Sequence, residues 1–361
     1  MSKIGLIALA LLCAVHPLDA QDAAAKSKKP KKEKSDSIVA APLKRLFTAT
    51  QPIEMSITTD LKAFTRTHDR GAPVRSASLA YTDSAGQQVT LPIQMGVRGN
   101  FRLQARNCSF PPTRLIFDST VKKTVFAGQK RLKLVTRCQK SDEFDQYILQ
   151  EYNLYRVYNL LTPFSFRARL ARVTFNDQQK KEEPITMWAF MIEDDGDMAK
   201  RNATTLLDQK GALWDDVDGE LLRTMSLFEF FIGNTDWSVG GLHNVKLVRD
   251  AQLNIRTVAY DLDWSGVISA RYARPDAKLP IRTVRDRLFR GPCMTEAEFL
   301  TSATLFAQQK DAIYALYKDL PQLSPSTAKN SLEYYDDFYK LIGDKRRAKR
   351  EILETCQPKG N

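Results

Sequence analysis

Residues 221–266, LLRTMSLFEFFIGNTDWSVGGLHNVKLVRDAQLNIRTVAYDLDWSG, decide the fold because they place an apolar helix, a polar loop and a hairpin in direct succession. Leu221, Met225, Phe228 and Ile232 recur at helical spacing, which predicts a deeply buried helix. A glycine and an asparagine follow Ile232, as is typical of a helix C-terminus. Strands are predicted next at residues 245–248 and 255–260, so the loop between helix and hairpin is held from both sides.

Acidic and amide side chains concentrate in this loop and at the end of the hairpin. If the strand continues through Asp261 and Asp263, both carboxylates lie on one face. Two like charges this close need a cation or a proton, and with Asn244 they offer three oxygen donors of the kind that magnesium prefers. Asp236, across the loop, is free to orient a nucleophile. The set matches a phosphoryl-transfer site, although Asp and Asn also fill turns for purely local reasons.

The N-terminus has the pattern of an export signal. Lys3 is followed by a short apolar stretch at residues 4–15, and Ala20 is a plausible cleavage site, which predicts a signal peptide over residues 1–20. The apolar stretch is too short to span a bilayer comfortably, and no later segment is long and apolar enough to be transmembrane. We expect the mature protein in a bacterial periplasm or outside the cell.

The net charge of the 361-residue chain is +12. Residues 21–40 are predicted to be a disordered, lysine-rich linker, and residues 21–34 within it hold six lysines and two acids, a net charge of +4. This tail could make weak contact with an anionic surface or simply be solvated. The remaining charge of +8 belongs to the folded part of the chain and suits an anionic ligand such as a nucleotide. We predict no nucleic-acid binding because no motif combines aromatic with basic residues.

Four cysteines remain once Cys13 leaves with the signal peptide. An even number in an exported chain predicts two disulfides. Nearest neighbours pair Cys108 with Cys138 and Cys293 with Cys356, but two other pairings are equally compatible with the sequence.

Alternating apolar residues predict a β-rich N-terminal region around one main helix. The predicted strands are residues 52–58, 78–81, 88–97, 101–105, 113–117, 129–136, 166–176 and 185–192, and the main helix is residues 144–161. The acidic run at 193–197 is interpreted as a connector. A capping box at Thr295 opens a helix to about residue 320, and a last helix runs from 326 to about 355.

Four further residues are candidates for a ligand site. Lys133 lies within a predicted strand, where an inward lysine is costly unless it is paired. Glu151, in the middle of the main helix, could meet it. Arg98 and Gly99 lie at a tight turn where the backbone can approach a ligand. Alternatively, Glu151 is a surface carboxylate and the turn is an ordinary hairpin with exposed arginines.

The chain resembles the spore coat protein H (CotH) kinase-like family, a secreted and atypical branch of the protein-kinase fold. The segments that carry the resemblance are QMGVRGNFRLQ, QKRLKLV, ILQEYNLYRVYNLL, MIEDDGDMAKR, LFEFFIGNTDWSVGGLHNVKLV and VAYDLDWSG. They fall within residues 90–268, and the last two segments are the most specific.

The resemblance implies an α+β, two-lobed kinase-like fold. Residues 41–192 would form a mostly antiparallel sheet lobe with one main helix. Residues 193–361 would form a mostly helical lobe that carries the catalytic loop and a helical cap.

The resemblance also implies roles for the site residues. Asp236 would accept the proton of the acceptor hydroxyl, Asn244 and Asp261 would hold magnesium, and Asp263 would support or share it. Lys133 would hold the phosphates of ATP.

Glu151 would be the helix partner of that lysine, and residues 96–100, with Arg98 and Gly99, would cover the phosphates. The chain is therefore expected to be a Mg²⁺-dependent phosphotransferase acting from ATP or another nucleotide on a protein or other hydroxyl acceptor of the envelope. The alternative is a catalytically inactive kinase-fold binding module of the cell envelope. A hydrolase or nuclease is less favoured because no nucleophile motif or zinc pattern is present.

Overall fold

Seven strands form a closed barrel in the N-terminal half of the chain. The computed structural model describes residues 39–358. The barrel strands are β1 (Ile53–Thr59), β2 (Arg75–Thr82), β3 (Gln88–Val97), β4 (Thr113–Ile116), β5 (Arg131–Thr136), β6 (Ala168–Asp177) and β7 (Ile185–Ile192). Their order around the barrel is β1-β2-β3-β4-β5-β7-β6, with β6 beside β1. The β1–β6 pair is parallel and the other neighbouring pairs are antiparallel.

The barrel is a packed core. In β1, Ile53, Met55, Ile57 and Thr59 are buried while the residues between them are more exposed, which is the two-residue period of a strand with one face inward. Large side chains from all seven strands join one hydrophobic cluster. The barrel therefore serves as a rigid support for what lies around it.

The prediction of an α+β, kinase-like two-lobed fold is wrong. The structure has a closed, mixed seven-stranded barrel together with a small sheet and helices. Closure depends on the parallel pairing of Ile53 with Ala171, which brings together residues far apart in the sequence. Such a pairing leaves no local periodic signal, so the alternating pattern of each strand indicates a strand but not its partner.

Helices and a second sheet complete the fold. The helices are α1 (Leu61–Thr65), α2 (Glu143–Leu161), α3 (Asp195–Arg201), α4 (Gly219–Ile232), α5 (Glu296–Gln308), α6 (Lys310–Lys318), α7 (Pro325–Gly343) and α8 (Lys345–Ala348). The second sheet has the order β10-β9-β8, from β8 (Thr205–Leu207), β9 (Val245–Arg249) and β10 (Ile255–Ala259). α2 lies against β6 and β7, and α4 packs on β10.

Most predicted elements are present, with several local differences. The predicted last helix, from residue 326 to about 355, ends at Gly343, and the short helix α8 follows it. Residues 101–105 form turns rather than a strand, and the acidic run opens helix α3. The long helix after Thr295 is divided into α5 and α6 at Gln309, whose backbone leaves the helical region. The predicted signal peptide, and the lysine-rich linker up to residue 38, lie outside the described residues.

Two disulfides join Cys108 to Cys138 and Cys293 to Cys356, so the nearest-neighbour pairing is confirmed. Such bonds are typical of proteins exported to an oxidising compartment. Among the helices of residues 39–358, none has the length and apolar character needed to cross a membrane.

Candidate functional site

The loop after α4 holds Asp236 in a network of hydrogen bonds. Asp218 caps the start of α4, and Gly233 ends it in the left-handed conformation, so the chain turns sharply into the loop. The Asp236 carboxylate contacts His243 Nε2 at 2.8 Å and accepts from Asn244 Nδ2 at 3.0 Å. The same Asn244 amide donates to the Asp236 carbonyl at 2.7 Å. The C-terminal end of the loop is therefore tied to a carboxylate near its N-terminal end.

The Asp236–His243 pair lies at the surface. The side chain of Asp236 is 39% exposed and that of His243 is 58% exposed, so both can reach a bound molecule. The hydrogen bond to Asp236 raises the pKa of His243, with further help from the charge of Asp236.

The end of β10 brings two more carboxylates to this loop. Tyr260 N–H donates to the Asn244 carbonyl at 3.0 Å, which joins the strand end to the loop. β10 stops at Ala259, and Asp261 has a φ of 59°. The expectation that the strand continues through Asp261 and Asp263 is therefore wrong, because the backbone turns between them. Asp261 is exposed and Asp263 is buried.

Two of these residues have unusual backbone angles. Asn244 (φ 52°) and Asp261 (φ 59°) both adopt the left-handed region, which is uncommon for residues other than glycine but is tolerated best by Asn and Asp.

Three carboxylates cluster around one half-buried arginine, Arg102. Asp263 accepts from Tyr272 Oη at 2.8 Å and lies 3.9 Å from Arg102 Nη1. Burial, and then the charge of Asp261, raise the pKa of Asp263. Glu151 is 2% exposed, its Oε2 has no hydrogen-bond partner, and burial followed by Asp263 and Asp261 raises its pKa. The cluster has more acid than base, so it favours protons or a cation.

Helix α2 positions this cluster from below. Glu151 and Tyr155 are one helical turn apart and face the same side. Tyr155 Oη accepts from Asp261 N–H at 3.1 Å. Helix α2 therefore fixes the backbone of the exposed Asp261 and also carries the buried Glu151.

Lys133 pairs with Asp195 instead of Glu151. Its Nζ lies 2.7 Å from Asp195 Oδ1 and 4.5 Å from the centre of the Tyr260 ring. Lys246 lies 3.2 Å from the other oxygen of Asp195. Burial lowers the pKa of Lys133, but Tyr260 and Asp195 outweigh it, so the pKa is raised and the lysine stays charged. Two ammonium groups around one carboxylate leave a net positive charge beside Tyr260, next to the acid cluster.

Arg98 and Gly99 lie at the edge of the site. Arg98 Nε donates to the Thr113 carbonyl at 3.3 Å, and its charge lowers the pKa of Glu151, though less than burial and the two aspartates raise it. Gly99 has a φ of 82° and faces Pro112. The structure thus brings Arg98 near the acids, and the described contacts of Gly99 are with the neighbouring loop.

The oxygen atoms at this site suit a cation that is held partly by the protein and partly by a bound molecule. Within residues 39–358, no group of three or more His, Cys, Asp or Glu side chains is arranged to hold a metal ion by itself. Magnesium commonly takes only one or two carboxylates from a protein and completes its shell with phosphate oxygens and water. Asp261 and Asp263, with the Asn244 side-chain oxygen, are donors of that kind, and the buried Glu151 beside them has one oxygen without a hydrogen-bond partner.

Sequence reasoning missed several of the site residues. Asp195 lies in an acidic run that also suits a connector, and Arg102 lies in a turn where exposure was expected. Tyr272 lies in an irregular stretch without a periodic pattern. Only the cluster of arginines at 98–106 carried a signal that could have indicated Arg102.

Comparisons of the chain with protein-family models, with curated proteins and with solved structures found no match.

Proposed function

We propose that the protein is an exported, Mg²⁺-dependent phosphotransferase that moves a phosphoryl group from a nucleotide such as ATP to a hydroxyl acceptor. The observation that carries this proposal is the convergence of two segments. The Tyr260–Asn244 hydrogen bond joins the loop of Asp236 to the acids at the end of β10. A fixed surface carboxylate, an amide oxygen and an acid cluster are the parts that phosphoryl transfer needs.

Each residue has a distinct role in this proposal. Asp261, Asp263 and Asn244 would hold the ion, which when bound neutralises charge on the phosphates. Lys133 and Lys246 offer the net positive charge beside Tyr260 that suits phosphate oxygens.

Asp236 acts at the acceptor. Its carboxylate takes the proton of the acceptor hydroxyl while the acceptor oxygen bonds to the γ-phosphorus. The bond between that phosphorus and the bridging oxygen breaks, and the nucleoside diphosphate leaves. His243 and Asn244 hold the carboxylate in position, so the proton acceptor requires little reorganisation.

Thermal shift with Mg²⁺ and ATP tests the binding step. A ligand at about 100 times its Kd stabilises the native state by about 2.7 kcal/mol, which raises the melting temperature by several degrees. Asp261→Asn should abolish the Mg²⁺-dependent part of the shift. The matched control is Asp311→Asn, an exposed aspartate of α6, which should behave as wild type.

Transfer is tested separately with Asp236→Asn. This variant should keep the Mg²⁺-dependent shift and lose phosphate transfer by about 10²- to 10⁴-fold. The absence of a shift with every nucleotide, in folded protein, contradicts the proposal. A shift without transfer in wild type would instead identify a binding module.

A further inference from the structure

One surface next to the site carries a large excess of positive charge. Residues 267–292, here called the basic segment, contain seven Arg and Lys residues and two Asp residues, a net charge of +5. The segment has no helix or strand and runs over the surface between the acid cluster and α5. Charge of one sign in one place attracts a partner of the opposite sign.

Both ends of the basic segment are attached to the site. Near its start, Tyr272 donates to Asp263. At its end, Arg290 Nη1 donates to the carbonyls of Thr235 and Trp237, the two residues that flank Asp236. Burial lowers the pKa of Arg290, and the negative charge of Asp236 partly offsets that shift. The segment therefore frames the surface from which an acceptor would approach Asp236.

Most of the charge on the basic segment is not used in folding. Arg271 pairs with Glu143 at 2.9 Å, and Arg287 pairs with Asp337 at 3.2 Å. Four exposed cations have no carboxylate of residues 39–358 within ion-pair distance: Arg274, Lys278, Arg282 and Arg285. Arg285 lies over the Tyr334 ring, and Arg274 donates only to nearby carbonyls.

We propose that the basic segment binds the acceptor and selects a protein segment in which acidic residues flank the reacting hydroxyl. The inference rests on the proposed phosphotransferase function and gives its acceptor a chemical class. A single-stranded nucleic acid is less well matched, because such ligands bind through stacked aromatic side chains. The aromatic residues of the segment are Tyr272, which contacts Asp263, and Phe289, which is buried.

The test measures binding of a fluorescent peptide that contains one serine among glutamates, by anisotropy, to the full mature chain. The variant combines Arg274→Gln, Lys278→Gln and Arg282→Gln. The control removes three exposed charges from the connection between β4 and β5 and the first residue of β5, with Lys122→Gln, Lys130→Gln and Arg131→Gln. We expect the segment variant to bind about tenfold more weakly and the control to change less than twofold.

Further conditions separate the possible outcomes. Binding should weaken as ionic strength rises, and a peptide with glutamine in place of glutamate should not bind. Equal losses in both triple variants, no binding by wild type, or tighter binding of an oligonucleotide of equal charge would overturn the proposal.

The peptide assay contains no nucleotide, so it can succeed when the phosphotransferase proposal fails. Asp261→Asn should leave peptide affinity within twofold of wild type while it removes the nucleotide-dependent thermal shift. Peptide binding together with absent nucleotide binding would retain the basic segment as an acidic-partner surface and reject the reaction.

Discussion

At the scale of single residues, the position of Asp236 depends on a carboxyl group that it does not touch. Glu229, in the last turn of α4, is fully buried, and its Oε2 accepts from Asn234 Nδ2 at 2.9 Å. Asn234 Oδ1 then accepts from Asp236 N–H at 3.0 Å. The helix end thus fixes the loop through one amide side chain. Burial raises the pKa of Glu229 to about 8, so the group is protonated at neutral pH.

Glu229→Gln should make stability less dependent on pH. The native pKa of Glu229 lies above its unfolded value, so the native state holds a proton that the unfolded state has lost. The stabilisation that Glu229 contributes has its full value at pH below the unfolded pKa. It declines as the pH rises towards about 8. For one proton the decline is about 1.4 kcal/mol per pH unit.

Urea unfolding of wild type and Glu229→Gln at about pH 5, 6, 7 and 8 measures the difference. As pH rises, the unfolding free energy of the glutamine variant should increase relative to that of wild type. Glutamine accepts the Asn234 hydrogen bond and cannot ionise, so it loses no stability over this range. Glu220→Gln, an exposed glutamate at the start of the same helix, should run parallel to wild type. Parallel curves for all three proteins would show that Glu229 titrates alike in both states.

At the scale of elements, the sequence predicts those features whose pattern lies entirely within one helix or strand. The β7 prediction matched the observed strand, and α2 differed by one residue at its start, because their apolar periods are complete within the element. The partner of β1 could not be predicted, since Ile53 pairs with Ala171 on β6, a strand far along the chain. A strand pattern indicates which face is buried and says nothing about which distant strand covers its edge.

The same distinction applies to the site. Asp236, Asn244 and Asp261 lie within one short stretch, and the structure brings Asp236 and Asn244 into direct contact. The partner of Lys133 is Asp195, on a different element, and nothing near either residue specifies the pairing. Contacts between elements depend on the fold, and here the expected fold was wrong.

The junction between α4 and the basic segment should tolerate no added atom. A Cβ on Gly266 would lie 2.3 Å from the Val284 carbonyl and 2.7 Å from Tyr334 Oη. Gly266→Ala must therefore displace backbone, and we expect a loss of about 1–3 kcal/mol in unfolding free energy. Urea denaturation measures it.

Gly343, at the end of α7, provides the matched control because a Cβ there would meet no atom within 4 Å. Gly343→Ala should be neutral or stabilise by up to about 1 kcal/mol, since alanine loses less backbone entropy in a helix. Similar stability of the two alanine variants would mean that the junction is not closely packed.

At the scale of the whole molecule, the two disulfides constrain the loops that surround the site. Cys108–Cys138 joins the turns that carry Arg102 to the end of β5, where Arg102 donates to the Thr136 carbonyl. Cys293–Cys356 joins the end of the basic segment to the C-terminal helices. Irregular segments of this length have few backbone partners, so covalent closure reduces the number of conformations that folding must exclude.

Removing either disulfide should cost nearly the same stability, although one closes a loop twice as long. The sequence separations are 30 and 63 residues, and loop entropy grows only with the logarithm of length. Each paired Cys→Ser variant should therefore lose about 4 kcal/mol, with a difference between them of about 0.6 kcal/mol. Denaturant unfolding of the two double variants measures both values. Cys108 and Cys138 are buried while Cys293 is exposed, so a much larger loss for the first pair would show that core packing, rather than chain entropy, sets the contribution of these bonds.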